Sequence, residues 1–144
     1  DGKVDEIFTS HFLEHIEDLE GYLQEFSRVL KTNGRLIIKV PHFSNPYYYS
    51  DPTHKTFFGL YTFSYFCDCF FLKRKVPQYN HDIKFNLEKI ELNFSSTRPF
   101  YLRHAFKKFF GVIFSSTYFM QEFWEENLSF LFPCYEIKFT LKNK

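Results

Sequence analysis

The sequence predicts an α/β fold built around a mixed sheet. Residues 4–41 read as strand, helix and strand, with a nearly continuous apolar run, Leu36-Ile37-Ile38 and Val40, in the second strand. Such runs belong to strands buried on both faces of a parallel sheet. Residues 135–141 alternate instead: Tyr135, Ile137, Phe139 and Leu141 against Glu136, Lys138 and Thr140. That pattern is a strand with one wet face, antiparallel or at an edge. A strongly aromatic helical stretch, about 98–132, precedes it.

In the first unit, Val4, Ile7 and Phe8 form a short β-prone run that stops at Thr9-Ser10. Ile16, Leu19, Leu23, Phe26, Val29 and Leu30 then recur at the spacing of one helical stripe. Glu17, Asp18 and Glu20 crowd the first turns and Lys31 the last, as the helix dipole prefers. Asn33-Gly34 offers a left-handed stop. A βαβ unit of this kind is almost always right-handed, and ligands of open α/β sheets sit beyond the strands' carboxyl ends. Those ends are Thr9-Ser10-His11 and Val40-Pro41-His42.

Asn45-Pro46 marks a turn, and a polar loop continues through Asp51-Pro52-Thr53-His54-Lys55. Residues 57–70 read as an aromatic helix containing Cys67 and Cys69. Lys73-Arg74-Lys75 reads as a solvated turn. In residues 84–94 the apolar parity slips by one between Leu87 and Ile90, which predicts a bulge near Glu88-Lys89.

Two helices follow. The first has a stripe of Leu102, Phe106, Phe109, Phe110 and Ile113, with Gly111 a slight weakness. Ser115-Ser116-Thr117 separates it from the second, which carries Phe119, Phe123, Trp124, Leu128 and Leu131 inward and Glu122, Glu125 and Glu126 outward. These aromatic helices are expected to bury against the domain. An interface with a second copy or a protein partner is the other use of such a face, and membrane contact is disfavoured because cationic residues line only the first helix.

Eighteen Lys and Arg against seventeen Asp and Glu leave a net charge of +1, so the chain shows no nucleic-acid footprint. Nothing resembles a signal peptide, and the longest nearly apolar run, 109–120, is too short to span a bilayer. Three cysteines without a framework spacing point to a reducing compartment, the cytoplasm, and to small core residues.

The string SHFLEHIEDLEGYLQEFSRVLKTNGRLIIKVP, residues 10–41, resembles the second half of class I S-adenosylmethionine-dependent methyltransferases. DPTHKTFF, residues 51–58, resembles a subgroup found with bacterial glycan and surface-polymer genes. The resemblance implies a partial Rossmann-like methyltransferase sheet in which the last strand lies antiparallel between the two before it. It also implies S-adenosyl-L-methionine as cofactor, with Thr9, Ser10 and His11 on its methionine side.

The family's glycine-rich turn and ribose-binding acid do not occur in the sequence. The chain is therefore expected to be the C-terminal part of a longer methyltransferase domain, inactive alone. Glu14 and His15 fall where ubiquinone-type O-methyltransferases resemble metal ligands, but those enzymes have another acid where this chain has His11, so no metal is expected.

Methyl transfer is an in-line displacement that needs alignment, and a hydroxyl acceptor also needs a base. His54 is the candidate base and Asp51 its orienting acceptor, with a small-molecule or glycan hydroxyl or amine as the methyl acceptor. His42 is a weaker candidate; His81 and His104 read as surface histidines. A non-catalytic module of the same fold, binding a protein through the aromatic helices, is the rival reading, as is an α/β enzyme of another kind.

Overall fold

The structure, a computed structural model, describes residues 2–79 and 82–144. The reading of His81 lies outside the described residues. Four strands form one sheet in the order β1 (Val4–Ser10), β2 (Leu30–Pro41), β4 (Glu136–Asn143), β3 (Phe85–Asn93). β1 and β2 are parallel, and β4 runs antiparallel to both β2 and β3. This is the mixed sheet expected, with the last strand inserted. The register shifts between Leu87 and Lys89, where the parity slip predicts a bulge.

β2 and β4 are central, so their side chains supply the core: Leu36, Ile38, Val40, Ile137, Phe139 and Leu141 are all fully buried. β1 is an edge strand, and Phe8 on it is 61% exposed. One face is covered by α1 (Leu19–Val29), whose Leu19 and Leu23 enter the core. Asp18 caps α1 by accepting a hydrogen bond from Gly21 N at 2.9 Å.

α1 ends at Val29, earlier than Asn33-Gly34 suggests, because β2 begins at Leu30. Asn33 does take the left-handed conformation (φ 66°), but as a kink inside the strand. A Cβ on Gly34 would meet Lys31 O at 2.9 Å and Asp5 O at 3.1 Å, so the close passage of β1 requires the glycine.

The aromatic helix expected over 57–70 is not formed. The segment is irregular, with a single 3-10 turn at Thr62–Tyr65. Phe58, Leu60, Phe63 and Cys67 all reach the core. Their spacings of two, three and four residues fit a chain laid over the sheet rather than one helical stripe. Cys67 and Cys134 are buried free thiols, and burial pushes both well up from the usual thiol range.

α2 (Tyr101–Phe114) and α3 (Tyr118–Asn127) lie between β3 and β4, as expected, but their buried faces differ from the sequence reading. In α2 the buried positions are Lys107, Gly111 and Phe114, while Leu102, Phe106, Phe109 and Ile113 are exposed. In α3, Trp124 is fully buried beside Gln121 and Glu122, whereas Phe119 and Phe123 are exposed, as is Leu131 just beyond the helix. The physical reason lies in the partners. Gly111 lets the helix press onto Phe94, where a Cβ would stand 2.8 Å from that ring. Glu122 is drawn inward by donors on the irregular segment: Tyr61 Oη at 2.8 Å and the amides of Lys73 and Arg74, both at 3.0 Å. Among the described residues no helix is long and apolar enough to cross a membrane.

Candidate functional site

The carboxyl ends of β1 and β2 meet at one rim, as a parallel pair requires. His11 N donates to Lys39 O at 2.9 Å just past β1, and His11 adopts φ 51°. That turn sends the chain into a 3-10 turn at Leu13–His15 and brings Glu14 under the rim. The carbonyl of Glu14 accepts hydrogen bonds from Lys55 N at 2.6 Å and Thr56 N at 3.1 Å. Thr56 Oγ1 adds a bond to Ile16 O at 2.7 Å. The Asp51-to-Lys55 loop is thereby strapped over the end of β1.

The His54 ring lands against His15, with centroids 4.9 Å apart, and against Tyr48, 4.5 Å away. His11 Nδ1 lies 3.2 Å from Glu14 Oε1 and its Nε2 3.4 Å from Glu136 Oε2. Glu14 thus neighbours both the histidine expected at the cofactor and the one expected at the acceptor. Burial acts against ionisation of Glu136, yet Lys39, Asn93 and His11 hold its carboxyl below the usual range.

The orienting group of His54 is the Tyr48 carbonyl, 2.8 Å from Nδ1. A carbonyl only accepts, so Nδ1 carries a proton, and in the neutral ring the lone pair is on Nε2. Asp51 Oδ2 lies 3.7 Å from that Nε2. Asp51 instead takes the Thr53 hydroxyl at 2.6 Å and amide at 2.9 Å, and these bonds lower its pKa from the ordinary carboxylate value. Tyr48 donates to Thr56 O. Burial, then the charges of Glu14 and Tyr49, push the Tyr48 phenol up to about 12, so it stays a donor.

His42 is fully buried and has no free nitrogen. Ser44 N donates to its Nδ1 at 3.1 Å, so Nε2–H donates to Glu125 Oε2 at 3.0 Å. It is a structural link between β2 and α3. His104 is likewise engaged, at Ser96.

Thr9 is buried at the end of β1, and its Oγ1 has no partner. Beyond Tyr48, a cleft of roughly 460 Å³ is lined by Phe43, Tyr49, Phe57, Tyr61, Tyr65 and Glu125. The sequence reading weighed His15 only at a metal-ligand position and gave it no part in the site. Its ring is exposed and faces His54. The available signal was its adjacency to Glu14, just beyond a strand end that a loop with a second histidine must cross.

Residues 1–38 match the family model described as a methyltransferase domain. No curated protein matches the chain. Among solved structures, a SAM-dependent methyltransferase from Archaeoglobus fulgidus superimposes with a TM-score of 0.57 at 16% identity, covering 99% of this chain. The fold is that of a class I S-adenosylmethionine-dependent methyltransferase. The chain spans 61% of the length of that structure. Within the methyltransferase fold, the rim formed by Thr9, Ser10 and His11 lies at the carboxyl end of a parallel strand, the general position of ligands in open α/β sheets. The orphaned hydroxyl of Thr9 suits a polar group arriving there.

Proposed function

We propose that the protein transfers a methyl group from S-adenosyl-L-methionine to a hydroxyl or amine of a small molecule or glycan. The observation that carries this reading is the joining, at one rim, of the Thr9 end of β1 and the strapped loop bearing His54. The cofactor supplies an activated methyl group for in-line displacement. Thr9, Ser10 and His11 would hold its methionine end, with Thr9 Oγ1 gaining the hydrogen bond it lacks.

His11, placed between Glu14 and Glu136, keeps its backbone turn and so aims the rim. The aromatic cleft beside Tyr48 takes the acceptor by stacking, and Glu125 in its lining suits sugar hydroxyls or a cationic amine. The lone pair on His54 Nε2, fixed by the Tyr48 carbonyl, accepts the acceptor's proton or positions its oxygen.

The test is a methyl-transfer assay of the full-length gene product with radiolabelled cofactor against a panel of sugars and amino sugars. His54→Ala is expected to lower turnover about 100-fold or more while cofactor affinity holds. Near-normal turnover in that variant on the true acceptor would remove His54 from the chemistry.

A further inference from the structure

We propose that Glu14, His15 and His54 form a binding site for one divalent cation of the zinc class. Each of the three offers a ligand atom, and these atoms all lie within 4.8 Å of one another. Ligands about 2.0–2.1 Å from a tetrahedral zinc stand about 3.4 Å apart, so small side-chain rotations close the set. Two nitrogens and one carboxylate oxygen suit zinc or a neighbouring first-row metal. Magnesium demands oxygen donors and keeps its waters.

Both imidazoles are set in the tautomer that coordination needs. His54 Nδ1–H is held by the Tyr48 carbonyl, which leaves Nε2 open. The Thr53 hydroxyl spends its one proton on Asp51 Oδ1, so at 2.9 Å it can only accept from His15 Nδ1–H. That leaves His15 Nε2 open too, 4.0 Å from Glu14 Oε1. Histidine metal ligands have their other nitrogen pinned in this way by a carbonyl or a carboxylate-linked group.

The independent observation is Glu14 itself. Its side chain is 1% exposed, and while Oε1 faces His11 and His15, Oε2 is buried without any partner. A carboxylate kept only for packing would not strand an oxygen in a low-dielectric site, where that costs about 1–3 kcal/mol or more. Burial runs from Glu14, buried, through His54 to His15, exposed, so the site opens on the rim and keeps a position for an outside ligand. Asp51 Oδ2 near His54 adds negative charge, and Lys55, the nearest lysine in sequence, is turned to Glu17 at 3.4 Å.

The test uses the purified full-length gene product, stripped with a chelator, then titrated with Zn²⁺ and, for its spectrum, Co²⁺. One equivalent should bind, and Co²⁺ should show the intense visible bands of four-coordinate nitrogen–oxygen ligation. His15→Ala, His54→Ala and the isosteric Glu14→Gln should each weaken binding at least 100-fold, with circular dichroism confirming the fold. Thr53→Val, which removes only the pin on His15, should weaken it about 10-fold. His104→Ala should bind as the parent does.

Absence of saturable binding overturns the proposal, and so does binding that survives unchanged in both histidine variants. The cation and the proton-accepting role draw on the same His54 Nε2, so a bound cation takes His54 out of base catalysis, and the two readings are told apart by measuring metal binding and turnover separately. A protein that binds the cation but transfers no methyl keeps this site and loses the preceding reading; turnover that persists after chelation, without metal binding, does the reverse.

Discussion

Glu125 Oε2, on α3, lies 3.0 Å from His42 Nε2 at the end of β2, and the same oxygen accepts from Leu60 N at 2.7 Å. One carboxylate thus ties the helical insertion, the central strand and the irregular aromatic segment together. Glu125→Ala would leave a fully buried imidazole N–H and an amide unsatisfied. The expected loss is about 3 kcal/mol, read as a denaturant midpoint shift at constant slope. A loss under about 1 kcal/mol would show that water replaces the carboxylate.

Two residues of the helix pair should behave oppositely. Trp124 is fully buried, with its Nε1–H on Phe132 O at 3.0 Å and its ring 4.9 Å from Phe94. Trp124→Ala should cost about 3–5 kcal/mol. Phe106 is 64% exposed, and Phe106→Ala should stay within about 0.5 kcal/mol. Gly111→Ala adds a sharper case. Propensity alone favours Ala by about 1 kcal/mol, but the Phe94 ring occupies the space, so the change should destabilise. A stabilised Gly111→Ala would show that Phe94 moves freely.

Lys107 gives a pH signature. Its ammonium is buried, with one bond to Ser95 O at 3.1 Å. Burial, then repulsion from Arg103, lowers its pKa to about 8. The unfolded chain therefore binds more protons between about pH 8 and 10.4. The penalty of burying the charge is full below about pH 8 and is relieved as pH rises through that window. Lys107→Met should stabilise the protein at neutral pH, and the gain over the parent should shrink towards pH 10. Parallel stability curves for the two proteins across that range would contradict the lowered pKa.

The sheet was legible because its signals are local and redundant. A continuous apolar run at 36–40 marks a central strand, and the parity slip between Leu87 and Ile90 marks the bulge. The helix faces were less legible because apolar character does not decide burial where specific polar partners exist. Glu122 and Glu125 point inward since backbone amides at Leu60, Lys73 and Arg74 need acceptors there, and no periodicity reveals that need. At the rim, the strand-end rule brought Thr9 and His11 to one edge of the sheet. The sequence could not show that the Tyr48 carbonyl, rather than Asp51, orients His54, or that His15 turns towards it.

Thr9 separates a structural from a functional reading of the rim. Its hydroxyl is buried and unpartnered, so as a purely structural group it is a liability. Thr9→Val keeps the shape and the β-branching and removes the orphan. It should leave the melting temperature unchanged or slightly higher. If the hydroxyl serves the methionine end of the cofactor, the same change should weaken S-adenosyl-L-methionine binding by about 10-fold, near the value of one hydrogen bond. Calorimetry and thermal melts on the full-length gene product read both effects. Unchanged cofactor affinity would move the contact elsewhere on the rim, and a marked loss of stability would mean that the hydroxyl has a partner inside the fold.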